Sequence, residues 1–196
     1  MAPITQALVI TNVAVFLLQS ASGGLLETWF ALWPPGHGFG IWQLVTYGFL
    51  HGGLAHIIFN MLGLYMFGSD IERLFGSRFF LRYYFACVIS AALCQLIVIS
   101  VTGGSPFPTL GASGGVYGLL LAFGIYFPRR MVMLIFPPIP MQARFFVILF
   151  GGLELVLGIT GTEAGVAHFA HLGGMLGGWL MIQHRRRRFP FSGPRR

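Results

Sequence analysis

The sequence has no lysine, two cysteines and five acidic residues, and charged residues make up 9% of its 196 positions. A soluble domain is about a quarter charged, so this scarcity excludes an ordinary water-soluble fold. Two cysteines, Cys87 and Cys94, do not make a disulfide scaffold. They fall on one predicted helix, where seven residues of rise put about 10 Å between them, beyond the reach of a bridge. They read as small apolar core residues. No short cleavable leader stands out: the first apolar run, residues 4–21, has no basic residue before it and is long enough to span a bilayer. No internal repeat stands out either. A formal net charge of +7 raises nucleic-acid binding. With lysine absent, however, all of the positive charge sits on twelve arginines, and they are placed like topology signals.

What is present is apolar. Hydrophobic residues make up 56% of the chain, with 28 glycines suited to close helix packing in lipid. This composition predicts an all-α, polytopic membrane bundle, one domain over residues 1–196. Six spans are expected, at 4–21, 54–69, 79–101, 113–127, 143–160 and 168–183. Arg73, Arg78 and Arg82 follow the second. Arg129, Arg130 and Arg144 lie between the fourth and fifth, and Arg185 to Arg188, Arg195 and Arg196 follow the sixth. Six crossings put all of them on one side with the N-terminus. The opposite loops, 22–53, 102–112 and 161–167, hold no arginine, only Glu27 and Glu163. The positive-inside rule makes the arginine side cytoplasmic. Residues 184–196 are then a basic, short, disordered cytoplasmic tail. Loop 22–53 carries Trp29, Phe30, Trp33, Phe39 and Trp42, a mixture suited to the membrane interface. Pro137-Pro138-Ile139-Pro140 stops a helix.

Against this background the polar residues inside the spans are conspicuous. Ser113 opens the fourth span within Gly111-Ala112-Ser113-Gly114-Gly115. That span has 15 residues, about 22 Å of helix, against a hydrocarbon core of about 30 Å. With Arg129 and Arg130 anchoring its cytoplasmic end, Ser113 stops below the opposite surface, at the floor of a cavity that must be protein-covered or wet. Gly111 permits a tight turn before it, and the helix N-terminus favours developing negative charge. Tyr117 lies one turn along the same face. Gly114 with Gly118, and Gly174 with Gly178, form G-x-x-x-G faces that bring the fourth and sixth spans together, and Ser113 towards His171. His56 and Asn60 share a face of the second span; from there they can donate hydrogen bonds to an oxyanion. Each feature alone has a bland reading. A serine among glycines usually packs, a lone span histidine or asparagine usually makes an interhelical hydrogen bond, and Glu154 reads as one more such bond. G-x-S-x-G in a soluble hydrolase needs a strand before the serine, which is not expected here. It is the combination that points to chemistry.

At these residues the chain resembles the rhomboid intramembrane serine proteases. The likeness rests on Gly111-Ala112-Ser113-Gly114 with Tyr117, on His56-x-x-x-Asn60, and on Ala170-His171-x-x-Gly174-x-x-x-Gly178. The aromatic first loop and Glu72-Arg73 add to it, and it covers essentially the whole chain. Rhomboids often carry Trp-Arg in that loop where this chain has Trp42-Gln43. The resemblance implies a Ser–His dyad without a third acid. Ser113 is the expected nucleophile and His171 the base, then the acid. His56, Asn60 and the Ser113 backbone N–H are expected to hold the oxyanion, with Tyr117 packed on His171. His168 lies close by, but the glycine spacing assigns the role to His171. Expected substrates are single-span membrane proteins in the lipid bilayer, with no cofactor, no metal and no nucleic-acid partner. A compact six-span form suggests a bacterial plasma membrane, with both termini cytoplasmic and the site opening to the extracytoplasmic side.

Three other readings compete. One is an inactive rhomboid-like protein that binds membrane clients. A second is a metal channel using His51, His56, His168 and His171, four histidines that no carboxylate or thiolate is expected to join. The third is a scaffold whose polar residues merely pack.

Overall fold

The computed structural model describes residues 1–103, 107–134, 137–161 and 167–188, and every expected span is helical in it. The first is α1 (Pro3–Ala21), with proline in its opening turn, where a missing N–H is not needed. The aromatic loop holds α2 (Leu25–Phe30), α3 (Gln43–Thr46) and a 3-10 turn, Tyr47–Phe49. The second span is continuous but not uniform: α4 (Leu54–Gly63), a π-helical stretch Leu64–Gly68, then α5 (Ser69–Phe75). α6 (Ser77–Thr102) follows across Gly76, whose φ of +76° suits glycine at the sharp turn. Then come α7 (Ser113–Tyr126), α8 (Ala143–Thr160) and α9 (His168–Arg188).

Four of these helical units are long and apolar enough to cross a membrane: α1, α4 through α5, α6 and α8. This makes the chain an integral membrane protein. α7 is apolar but has only 14 residues, about 21 Å of rise. α9 is apolar at its start and ends in consecutive arginines.

The core lies where α6, α7 and α9 meet, and small residues allow the approach. A Cβ on Gly174 would collide with the Gly114 carbonyl, and one on Gly118 would collide with the Cys87 sulfur. Polar side chains tie the same helices by their backbones: Tyr83 Oη donates to the Gly118 carbonyl at 2.6 Å and Ser90 Oγ to the Gly173 carbonyl at 2.7 Å. Cys87 and Cys94 are both free thiols. At the other end Glu72 gathers three helices. Its carboxylate accepts from the Ile4 and Thr5 backbone N–H groups at 3.0 and 2.8 Å, from Thr5 Oγ1 at 2.8 Å and from Ser77 Oγ at 2.7 Å. The N-terminal N–H groups of α1, orphaned by helix geometry, are satisfied there by a charge that suits the helix dipole.

The fold departs from expectation in three places. It is not purely helical: β1 (Met131–Met133) and β2 (Pro140–Gln142) pair antiparallel between α7 and α8, Met131 opposite Gln142. Proline is tolerated at such an edge because it need not donate. The second helical unit runs to Phe75 rather than ending at 69. Residues 184–188 of the basic tail, expected to be disordered, are helical and continue α9 to Arg188. Arginine is a good helix former, and the Arg185 guanidinium lies 4.7 Å from the ring centres of Phe75 and Phe79. Residues 189–196 of that tail, and Glu163 of the third loop, lie outside the described residues.

Candidate active site

Ser113 is the first residue of α7 and half-buried. Its position is set by the backbone before it. Gly111 takes φ +129°, a conformation that L side chains rarely adopt, and a Cβ there would stand 2.7 Å from His56 Nε2. The Gly111 N–H donates to the Tyr47 carbonyl at 3.0 Å, and Leu32 and Thr109 exchange two backbone bonds of 2.9 Å. The aromatic loop and the approach to Ser113 are thereby one unit. Gln43 holds that loop: it is 1% exposed, accepts from the Trp33 N–H at 3.1 Å and donates to the Gly38 and Trp29 carbonyls at 3.2 and 3.3 Å. A neutral amide thus ties the loop together at position 43.

From α9, His171 Nε2 meets Ser113 Oγ at 2.8 Å. The ring stacks on Tyr117, centroids 4.4 Å apart and planes 5° from parallel. Both contacts follow from the close glycine crossing of α7 and α9. For Nε2 to accept from the serine hydroxyl, the ring proton must sit on Nδ1.

Two further expected residues sit on α4. His56 is half-buried with Nδ1 accepting from the Gly52 N–H at 3.2 Å, which leaves its other nitrogen, Nε2, as the donor, facing Gly111. Asn60 is buried and donates to the His56 carbonyl at 2.9 Å, along its own helix. His51, just before α4, is buried against His56, ring centres 5.2 Å apart. Burial and then the neighbouring His56 hold its pKa down to about 4. Its backbone is clasped by Gln19 of α1, which accepts from the His51 N–H at 2.9 Å and donates to the His51 carbonyl at 2.8 Å. Nothing about Gln19 in the sequence marks it for that task beyond being polar in an apolar run.

The carboxylate of Glu154 is where the site differs most from expectation. Tyr117 Oη donates to Oε1. Oε2 bonds His168 Nδ1 at 2.6 Å and lies 2.9 Å from His171 Nδ1, out of line with that ring N–H. A carboxylate therefore does join two of the four histidines, contrary to the sequence expectation; it comes from α8, distant in sequence. The four histidines do not form one ligand set. His51 and His56 pair on one side, and Glu154, His168 and His171 cluster on the other, with donor atoms within 4.8 Å of one another. Two ligands of a tetrahedral zinc stand roughly 3.3 Å apart. The contacts to Oε2 are shorter than this, so the cluster is drawn together by hydrogen bonding.

The Rhomboid domain family matches residues 38–188. The chain is 35% identical over 162 residues to RHOMBOID-like protein 12, mitochondrial, of Arabidopsis thaliana, a match covering 74% of this chain and 48% of that protein. It is 31% identical over 141 residues to Rhomboid protease GluP of Bacillus subtilis, covering 71% and 25%. It is 27% identical over 180 residues to Rhomboid protease GlpG of Pectobacterium atrosepticum, covering 91% and 61%. The matched region spans between a quarter and three fifths of the length of these relatives. A family match over most of the chain, enclosing the glycine crossing that joins Ser113 to His171, makes this chain a member of the rhomboid family.

Proposed function

We propose that the protein is an intramembrane serine endopeptidase that cuts single-span membrane proteins in or near their spans. The observation that carries the reading is the 2.8 Å contact between His171 Nε2 and Ser113 Oγ. His171 takes the hydroxyl proton as Oγ attacks the scissile carbonyl carbon. The oxygen of the tetrahedral adduct becomes an anion beside the Ser113 backbone N–H, which a helix N-terminus leaves without an intrahelical partner. His56 Nε2 is the second donor. Asn60 becomes the third when its amide turns from the His56 carbonyl towards the site. The C–N bond then breaks, and His171 returns the proton to the leaving amine. Water, deprotonated by the same ring, hydrolyses the acyl ester.

In this reading the chain crosses the bilayer six times, α7 and α9 completing the four longer units. The arginine-rich ends share one side, and Ser113 opens to the other. The reading keeps the bacterial plasma membrane as the location; similarity to a plant mitochondrial protein makes an organelle membrane the alternative, which fractionation decides. A substrate helix hides its scissile amide in its own hydrogen bonds, so residues that weaken a helix near the cut favour cleavage.

The second reading, a client-binding protein without catalysis, is favoured by the Asn60 amide being engaged on the His56 carbonyl of its own helix. A fluorophosphonate probe separates the two. The endopeptidase reading expects labelling of the wild type and none of Ser113→Ala, with His171→Ala labelled at a small fraction of the wild-type rate. An unlabelled wild type supports client binding.

A further inference from the structure

Glu154 is an unusual residue for its position. Among the described residues of α8 only Ala143, at the helix start, and Glu154 are buried, while its other side chains, apolar apart from Arg144 and Thr160 near its ends, face outward or part-way. An acidic side chain inside an apolar span is expensive and is retained for a reason. Docking alone does not supply one, since an aliphatic residue would dock α8 without a desolvation cost.

The carboxylate is held from two helices. Tyr117 of α7 donates to one oxygen and His168 of α9 bonds the other, and that second oxygen lies 2.9 Å from His171 Nδ1. Tyr117 also stacks on His171, so one side chain fixes both the ring and the carboxylate. We infer that Glu154 is a positioning residue for His171, turning the Ser113–His171 pair into a serine–histidine–glutamate arrangement. This rests on the endopeptidase reading of the same site.

The step balances without any further reactant. The Oγ–C bond forms as the Ser113 proton passes to His171 Nε2, leaving a positive ring. The Glu154 carboxylate offsets that charge and steers the Nδ1–H; it does not itself take the proton. A small ring rotation within the Tyr117 stack brings the N–H into line. The proton on Nε2 then leaves with the amine as the C–N bond breaks. Among the described residues, the titratable groups around His171 are His56 from α4, Cys94 from α6 beside Gly173, Ser113 and Tyr117 from α7, Glu154 from α8 and His168 on its own helix. Of these Glu154 alone can bring a negative charge to Nδ1.

The test uses the full chain in proteoliposomes with a labelled single-span substrate, and wild type, Ser113→Ala, Glu154→Gln and Glu154→Asp. Glutamine keeps the size and can still accept from Tyr117, but it has no charge. The expected result is a kcat lowered about 10- to 100-fold with KM within about threefold. The acid limb of kcat/KM moves to lower pH, because the protonated ring has lost its counter-charge. Aspartate keeps the charge and leaves that limb at its wild-type position. A Glu154→Gln enzyme with wild-type kcat overturns the inference. So does one with lowered kcat and an unmoved acid limb, which would leave Glu154 a docking residue. If Glu154→Gln does not fold, Tyr117→Phe keeps the stack but releases Oε1; several-fold lower kcat is expected, and unchanged kcat overturns the inference. Failure of the wild type to cleave takes down the endopeptidase reading and this inference together. Cleavage that depends on Ser113 but not on Glu154 takes down this inference alone.

Discussion

Gly111 carries more of the site than its single hydrogen of side chain suggests. Its φ of +129° suits glycine, and its missing Cβ is the space in which His56 Nε2 sits. Gly111→Ala therefore strains the backbone by about 1–3 kcal/mol and displaces His56. We expect a fall in kcat/KM of at least about tenfold, read by substrate cleavage, with the serine still present and the fold retained. His51 makes a second residue-scale prediction. Its folded value of about 4 lies below the ordinary histidine value of 6.5, so the folded state prefers the neutral ring and the unfolded chain binds the proton. The stability His51 contributes is complete above pH 6.5 and is lost as pH falls from there towards 4, at most about 3 kcal/mol. Thermal unfolding in detergent should show the midpoint falling over that range, and His51→Phe, which keeps a ring between Phe16 and His56, should flatten the curve. An unchanged slope in the variant would remove His51 as its cause.

At the scale of elements, the crossing of α7 and α9 is what turns two distant residues into a pair. Gly174 approaches Gly114 so closely that no larger residue fits without separating the backbones. Gly174→Val should cost about 1–3 kcal/mol of stability and lower activity by more than its unfolding explains, because Ser113 and His171 move apart by the same displacement. A lowered unfolding midpoint with activity fully retained would contradict this. The crossing was legible in the sequence because G-x-x-x-G is a spacing on one helix face. The six helices were legible for a similar reason: apolar runs of that length permit little else. Glu154 shows where such reading stops. Its presence in an apolar run announces a task, but its partners Tyr117, His168 and His171 lie on α7 and α9, and no spacing within α8 says which neighbours its buried face meets. The β1–β2 pair was hidden by short length and by proline, and the extension of α9 to Arg188 by a run of arginines that reads as a solvated tail until Phe75 and Phe79 are seen beneath Arg185.

For the molecule as a whole, α7 is short among longer helices, which in the proposed reading puts Ser113 at membrane depth, and the aromatic loop is joined to the chain before that serine through Leu32 and Thr109. Glu72 ties α1, α5 and α6 at the far end, so the site is built on a braced frame while α8, apolar outward and buried mainly at Glu154, is attached more lightly. The most direct test of the account is cleavage by purified protein in proteoliposomes of a labelled single-span substrate with a proline or glycine near the expected cut. The account predicts cleavage by the wild type, none by Ser113→Ala or His171→Ala, and residual cleavage by His168→Ala. Cleavage that persists in Ser113→Ala, or a folded wild type that cleaves no substrate in a series, would contradict it.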